Sequence, residues 1–161
     1  MNVFFLNENP FVAVKMLTNK HVVKMTLETG QILSTVHRVV KGDKADSILY
    51  KATHINHPCS KWARGSRENY RWLYNYFLAI ALEYTKRFGK PHKTWVALNQ
   101  ALCDIPEELP SIGFTEPPQA MPEMYRGDNT KEAYIRYYMG EKLNSREELN
   151  NFLASMGVSN A

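Results

Sequence analysis

Apolar residues recur at helical spacing along most of the chain. Between about residues 20 and 40 they mark one side of a helix. The apolar positions of that side are Val22, Met25, Ile32, Val36 and Val39. The segment from about 66 to 88 carries NYRWLYNYFLAIALEY, which is apolar nearly all round. A helix with that pattern is buried on every side, so we predict the central helix of the fold there.

Weaker patterns predict the remaining elements. Only VFFL, near the start of the chain, has the composition of a short strand. Gly42 ends the second helix and Gly89 the central one, and the segment 41–58 is predicted to be a loop. Further helices are predicted at about 9–18, 92–103, 130–141 and 145–155, and a proline-rich connection at 105–125. The prediction is a mainly α protein, a compact single-domain helical bundle over residues 1–161 around a buried central helix.

Length and composition narrow the class of protein. A chain of 161 residues with 44% hydrophobic residues is long enough to bury one core. No apolar run reaches the roughly 18 residues that a membrane span needs, and MNVFFLNENP lacks the features of a signal peptide. We therefore expect a cytoplasmic protein with no membrane partner. Cys59 and Cys103 are the only cysteines, which argues against a disulfide framework or a cysteine-based zinc site.

The charge favours a polyanionic partner. The net charge is +4 and the isoelectric point is about 9.0. Aromatic residues make up 12% of the chain and are interleaved with the basic ones. Lysine and arginine hold phosphates while rings stack on exposed bases, so this pattern suits nucleic acid. A core rich in tyrosine has the same composition.

The start of the second predicted helix is charged against its own dipole. Lys20, His21 and Lys24 follow the plausible cap Asn19, although a helix N-terminus favours acidic groups. One interpretation is a solvated face that tolerates a small cost. The other is the wall of a site, in which the dipole and a neighbouring cation favour the neutral, nucleophilic form of a lysine amine. Glu28 lies one turn beyond Lys24. Imine chemistry at a sugar carbon requires an amine with a carboxylate beside it.

A basic and aromatic stretch follows at residues 54–72, HINHPCSKWARGSRENYRW. Asn56 and His57 precede a proline and are predicted to lie on a loop. The candidate phosphate and base contacts of this stretch are Asn56, His57, Lys61, Trp62, Arg64, Arg67 and Arg71. A basic solvated face is the alternative. His54, His57 and His92 form a weak candidate for a zinc site, but no carboxylate has ligand spacing to them, so we predict no metal and no cofactor.

The sequence lacks other common catalytic motifs. It has no phosphate-binding P-loop, no GxGxxG, no GxSxG and no HExxH. Nucleotide-dependent and serine-hydrolase functions are therefore not supported. In EYTKRFGK, Glu83 needs a partner, and Arg87 one turn on is the predicted one.

Several pieces taken together resemble a known family. They are NKHVVKM, ETGQILS, NHPCSKWARGSRENYRWL, EYTKRFGK and PPQAMPEMY. They are similar to small phage and microbial proteins of the pyrimidine-dimer DNA glycosylase family, of the endonuclease V type, over roughly residues 1–140. The positions that match the order of motifs in a related cellular branch are Lys20, Lys24, Gln31, Asn56, His57, Pro58 and Trp62.

The resemblance implies an activity. It implies a helical protein that binds double-stranded DNA, flips a nucleotide and attacks the sugar C1′ with an amine, assisted by a glutamate, here Glu28. The resulting imine allows strand cleavage by elimination. A well-known phage member uses the amine exposed when Met1 is removed, but Asn2 is too large for efficient removal. Either Lys20 or Lys24 then supplies the amine, or the protein is not a lyase.

Two other functions remain open from the sequence. A phage enzyme that attaches groups to thymine in DNA could reuse the same scaffold, and a lysine–histidine–glutamate cleft without cleavage of abasic sites would favour it. The second alternative is a non-enzymatic phage protein that binds a host factor. An exposed apolar groove along EPPQAMPEMY, with no polar pocket behind it, would favour that function.

Overall fold

Seven α-helices build the part of the chain that the structure describes. The structure is a computed structural model, and it describes residues 1–158. The helices are α1 (Pro10–Ala13), α2 (Asn19–Lys41), α3 (Pro58–Ala63), α4 (Arg67–Phe88), α5 (Lys93–Cys103), α6 (Thr130–Glu141) and α7 (Arg146–Ser155). Short 3₁₀ turns lie at Val14–Met16, Gly42–Lys44 and Glu123–Tyr125. Within residues 1–158 there is no strand, so the mainly α prediction is confirmed.

Helix α4 is the buried centre. Leu73, Tyr76, Phe77 and Ile80 are buried along it, and α2 packs on α4 more extensively than any other pair of elements. Since burial of apolar surface is the main favourable term in folding, this contact fixes the direction of α2. Helix α4 is not covered at its far end, where Leu82 is 57% exposed.

The apolar side of α2 is confirmed with one exception. Val22, Met25, Ile32 and Val36 are buried in the core. Val39 is 40% exposed, so its inclusion in that side was wrong. It lies three residues before the Gly42 cap, in the last turn of α2, beyond the last buried residue of that helix, His37.

Helix α2 is capped one residue earlier than the sequence indicated. Thr18, not Asn19, is the N-cap, and its hydroxyl accepts from the backbone N–H of His21. Asn19 is the first helical residue, and its side-chain oxygen accepts from Arg87 at 3.1 Å. The other cap positions were predicted correctly, with Ser66 before α4 and Gly89 after it.

The predicted loop 41–58 is followed by a short helix that the sequence pattern did not indicate. In α3, Pro58 occupies the first helical position and the side chain of His57 accepts from the backbone N–H of Cys59. A proline at that position is pre-set for a helix. Histidine is an unusual cap, which is why the pattern predicted no helix at residues 58–63.

The predicted strand VFFL was wrong. Val3, Phe4, Phe5 and Leu6 are buried, but their backbone bonds are local. The side-chain oxygen of Asn2 accepts from the N–H groups of Val3 and Phe4, and Leu6 donates to the carbonyl of Phe4. Phe4 has a φ of +51°, which bends the segment away from an extended path. A buried, bent anchor therefore replaces the strand.

No helix of the described chain is both long enough and apolar enough to cross a membrane.

Candidate functional site

A cavity of about 380 Å³ opens where the first turns of α2 meet the start of the chain, α3 and the C-terminal segment. Its lining combines residues far apart in sequence. They are Met1, Asn2, Phe4, His21, Lys24, Met25, Glu28, His57, Pro58, Ala120, Met121, Arg126, Tyr137 and Lys142. Four of the candidates from the sequence, His21, Lys24, Glu28 and His57, therefore share one concave site.

The polar face of α2 divides into two halves. Its first half, at His21, Lys24 and Glu28, lines the cavity. Its second half is covered by the loop before α3, because Thr35 exchanges hydrogen bonds with the backbone of Thr53 and the guanidinium of Arg38 donates to the carbonyls of residues 49 and 50. A uniformly solvated face is thereby excluded.

Lys20 lies outside the cavity. Its side chain is exposed, and it is absent from the cavity lining although His21 beside it is present. Lys24 is exposed but contributes to the wall. Of the two predicted lysines, the structure brings only Lys24 to the carboxylate side of the cavity. Gln31, one turn after Glu28, does not line it either.

The amino group of Met1 contacts Glu28. Its nitrogen lies 3.5 Å from Oε1 of Glu28, and the two side chains are 2% and 15% exposed. Asn2 holds this segment in place, since its side-chain amide donates to the carbonyl of Ala120 at 2.9 Å. The start of the chain is therefore tied to the C-terminal wall, and the amine beside Glu28 in this structure is that of Met1.

His21 is buried between the aromatic side chains of Phe4 and Tyr138. Its ring lies 4.9 Å from that of Phe4, and its Nδ1 is 2.8 Å from the hydroxyl of Tyr138. Burial lowers the pKa of His21 to about 4, with further contributions from Lys142, Lys24 and Lys20, and Glu148 acts in the opposite sense. His21 is therefore neutral at pH 7.

His57 belongs to the same wall. It is half-buried, and burial lowers its pKa, followed by the positive charges of the Met1 amino group and His54. Its Nδ1 is occupied by the backbone N–H of Cys59. The ring is thus fixed by α3 and faces the cavity as a neutral group.

The cavity carries an excess of positive charge. Lys24, Arg126 and Lys142 line it together with the Met1 amine, while Glu28 is the single acidic lining residue within the described chain. A concave surface with charges of one sign raises the local concentration of oppositely charged ligands. Such a site suits a polyanion, one group of which would reach the carboxylate of Glu28.

The candidate residues of this cavity lie in a part of the chain that matches a protein family. A model of the family described as pyrimidine dimer DNA glycosylase matches residues 1–97. The chain belongs to the pyrimidine dimer DNA glycosylase family. Membership implies a DNA substrate. A comparison with curated proteins gave no match, and a comparison with solved structures gave none.

The family match covers only part of the cavity. His21, Lys24, Glu28 and His57 lie inside residues 1–97, as does the start of the chain. Ala120, Met121, Arg126, Tyr137 and Lys142 lie beyond it. The glycosylase-family part thus supplies the amines of Met1 and Lys24, the carboxylate and the two histidines, and the C-terminal segment supplies the facing wall.

The predicted DNA contacts are spread along α3 and the start of α4. Asn56, Lys61 and Arg71 are exposed, and Arg64 and Arg67 are half-buried. A guanidinium nitrogen of Arg64 is buried and has no hydrogen-bond partner among residues 1–158. Arg67 is held more firmly, donating to the carbonyl of Pro106.

Trp62 is a packing residue. It is 8% exposed, its indole N–H donates to the carbonyl of Thr115 at 2.7 Å, and its ring lies edge-on to those of Trp72 and Phe114. These contacts account for a tryptophan at this position. Base stacking by Trp62, which the sequence suggested, stays a prediction.

Two other groups of candidates have structural explanations. Among residues 1–158 no group of three or more histidine, cysteine, aspartate or glutamate side chains is arranged to hold a metal ion. His57 and His92 cap α3 and α5 instead. Cys59 is buried, and burial raises the pKa of its thiol to about 12, which rules out a thiolate nucleophile at neutral pH.

A larger cavity of about 470 Å³ lies on the other side of the α2 start, lined by Thr18, Arg87 and Glu148 among others. The guanidinium of Arg87 is already bound there. It donates to Glu83 at 2.8 Å, which confirms the predicted ion pair, and to the carbonyls of Leu17 and Lys15. With its main cation satisfied, this cavity offers less to a ligand than the one at Glu28.

Proposed function

We propose that the protein is a DNA glycosylase that removes a thymine-type base and that an amine of the cavity is its nucleophile. The observation that carries this proposal is the 3.5 Å contact between the Met1 amine and Glu28, inside a cationic cavity formed largely by the family segment. Strand cleavage at the resulting abasic site is the lyase activity we propose with it.

The chemistry requires an amine and a proton acceptor. The amine nitrogen attacks C1′, and the electron pair of the C1′–N1 bond leaves with the base, which takes up a proton. Glu28 is placed to accept a proton from the Met1 amine, which makes that nitrogen nucleophilic. Opening of the sugar ring gives an imine, and elimination of the 3′ phosphate follows. The distance favours Met1 as the nucleophile, and Lys24 is the second candidate.

The contact of Met1 with Glu28 bears on which amine is the nucleophile. The sequence indicated that Asn2 prevents removal of Met1 and so moves the nucleophile to a lysine. In the structure Asn2 instead anchors the segment through Ala120 and so holds the amine of Met1 at Glu28. A large second residue is therefore compatible with an amine at the chain start as nucleophile.

Positive groups outside the cavity would hold the phosphates. Lys61 and Arg71 are exposed, and Arg64 between them in the chain is half-buried. The cationic groups of these side chains are suited to charge-assisted hydrogen bonds with phosphate oxygens. We propose that double-stranded DNA crosses this surface and delivers a flipped nucleotide to the cavity.

The non-enzymatic alternative is less well supported. An apolar groove with no polar pocket behind it would have favoured a host-factor binding protein. Behind residues 116–125 lies the polar cavity itself, and Ala120 and Met121 line it. Met124 is exposed on the outer side, but a single exposed apolar side chain is ordinary.

Borohydride trapping tests the proposal. The protein is incubated with DNA that carries a pyrimidine dimer or an abasic site, reduced, digested and analysed by mass spectrometry. An adduct at Met1 that a Gly-Ser extension before Met1 abolishes identifies the terminal amine. An adduct at Lys24 that Lys24→Met abolishes identifies the lysine. Lys20→Met is the matched control, because Lys20 is an exposed lysine of the same helix outside the cavity.

Two outcomes would contradict the proposal. Binding of DNA without base release or adduct, with transfer of a group to thymine, would support the base-modifying alternative. Absence of DNA binding at low salt would reject every DNA-acting function. The non-enzymatic protein that binds a host factor would then remain as the alternative. Glu28→Gln separates chemistry from binding, since we expect it to abolish trapping while DNA is still bound.

A further inference from the structure

The hydroxyl of Tyr138 links the cavity to the start of α2. It lies 2.8 Å from Nδ1 of His21, and it accepts from the backbone N–H of Thr18 at 2.8 Å. Tyr138 is fully buried and His21 is 7% exposed. The two residues are separated by 117 positions in the sequence, so their contact depends on the packing of α6 against α2.

The proton of this hydroxyl has one good acceptor. A tyrosine hydroxyl donates a single hydrogen bond. Nδ1 of His21 is 2.8 Å away, whereas the other acceptor, Oγ1 of Thr18, is 3.5 Å away. Hydrogen bonds from hydroxyl groups to oxygen are ordinarily about 2.5–3.0 Å long, so the proton points to His21. Nδ1 is then an acceptor, and the proton of the neutral ring resides on Nε2.

The protonated nitrogen faces the cavity. His21 lines it, and Nε2 has no hydrogen-bond partner among the described residues. Although it has no partner, Nε2 is not a buried atom, so it is in contact with open space. The edge of the ring that Tyr138 does not occupy is therefore open to the cavity. Burial and the charges of Lys142, Lys24 and Lys20 lower the pKa of the ring and keep it neutral against the opposing effect of Glu148.

We propose that Tyr138 is a positioning residue that holds His21 as a neutral imidazole with its Nε2–H in the cavity, where it donates to the carbonyl oxygen next to the breaking C1′–N1 bond. This role rests on the proposed function. When that bond breaks, its electron pair stays with the pyrimidine, and the charge spreads over N1 and O2. A donor directed at O2 stabilises this charge without transferring its proton, and the base takes its proton from water.

The tautomer can be observed directly. Long-range proton–nitrogen correlation spectra of the full chain, labelled with ¹⁵N in histidine, distinguish a ring protonated at Nε2 from one protonated at Nδ1. We expect His21 to be the Nε2–H form at about pH 7.5, well above its lowered pKa. In Tyr138→Phe the ring keeps its volume but loses the hydroxyl, and we expect a mixture of both tautomers at His21.

Kinetics then separate positioning from structure. Tyr138→Phe should slow single-turnover base release by about tenfold or more while DNA affinity stays the same, because the donor stabilises only the departing base. Tyr70→Phe is the matched control. It removes a buried tyrosine hydroxyl that bonds His37 at 2.7 Å, away from the cavity, and should leave the rate unchanged. His21→Gln, which keeps an N–H donor, should be faster than His21→Ala.

The results that would overturn this inference differ from those that would overturn the proposed function. An Nδ1–H ring in an active wild-type protein, or base release by Tyr138→Phe at the wild-type rate, would overturn this inference alone. If Tyr138→Phe unfolds, the order of His21→Gln and His21→Ala decides, and equal rates would overturn the inference. An Nε2–H ring in a wild-type protein that releases no base from any DNA would overturn the proposed function and with it the role at the leaving base.

Discussion

The contact between α2 and α5 predicts a measurable clash. Gly30 is buried in α2, and a Cβ built on it would lie 2.6 Å from Cγ2 of Thr94 and 3.4 Å from Cδ1 of Leu98. Carbon atoms attract best at about 3.5–4.0 Å, so the first contact is short by about 1 Å. Thr94 lies in the first turn of α5, where its hydroxyl is 3.0 Å from that of Tyr50. The methyl group cannot turn away without breaking this pair.

The expected cost of Gly30→Ala follows from two opposing terms. Overpacking of a core costs about 1–3 kcal/mol. Alanine stabilises a helix relative to glycine by about 1 kcal/mol. We therefore expect the free energy of unfolding to fall by about 0–2 kcal/mol, and the melting temperature to fall by about 2–4 °C for each kcal/mol.

A second substitution isolates the cause. Thr94→Ser removes only the clashing methyl group and keeps the hydroxyl near Tyr50, at a cost of about 1 kcal/mol for the lost apolar surface. In the double variant the Cβ introduced at position 30 takes up the vacated space. We expect the double variant to be more stable than the sum of the single effects by about 1 kcal/mol.

Urea unfolding followed by circular dichroism measures all four proteins. Additive effects would show that the methyl group of Thr94 is not the obstacle. A stabilising Gly30→Ala would show that α5 moves away at little cost and that helix propensity decides. Because Glu28 lies two residues before Gly30 on the same helix, a loose contact here would also mean that α5 does not fix the cavity wall.

Burial and charge give three further predictions. Leu73→Ala should lower the free energy of unfolding by about 2–5 kcal/mol, since Leu73 is fully buried, while Leu82→Ala, 57% exposed on the same helix, should change it little in a urea titration. Arg64→Ala should reduce the slope of log affinity for DNA against log salt by about one unit, and an unchanged slope in a binding titration would remove Arg64 from the phosphate contacts. Burial lowers the pKa of both His21 and His37 to about 4, so the unfolded chain binds protons first as pH falls. The free energy of unfolding should then drop between about pH 6.5 and 4 and level off below, and the loss should be smaller in His37→Gln.

The helices were predictable because their signals are local. The spacing of Val22, Met25, Ile32 and Val36 defines a helix face whatever packs against it. Ser66 and Gly89 mark the ends of α4 through bonds within a few residues. The segment at 3–6 has the composition of a strand, but Asn2 and the bend at Phe4 remove its backbone groups from sheet pairing. Composition alone cannot show that loss.

Half of the cavity was predictable for the same reason. His21, Lys24 and Glu28 share a face of one helix, and their spacing places them together. The facing wall arrives through contacts between distant parts of the chain, such as Asn2 with Ala120 and His21 with Tyr138. Lys142 and Arg126 gave no signal that distinguishes them from other surface cations. The sequence argued against a terminal amine, because Asn2 is too large for efficient removal of Met1. It does not show that Asn2 holds the amine of Met1 itself beside Glu28.

The structure also explains why cations at the start of α2 are tolerated. His21 is neutral, because its pKa is lowered to about 4, so it does not oppose the helix dipole. Lys24 lies in the second turn, beyond the first turn over which the dipole acts most strongly. Only Lys20 stands in the first turn as a cation, and its side chain is exposed to water, which screens the repulsion. The helix therefore bears little cost, and the positive charge that remains at the cavity comes from Lys24 together with Arg126 and Lys142 on the opposite wall. Because Glu28 is the one carboxylate among the described lining residues that faces these charges, a bound polyanion is the partner that would neutralise the rest.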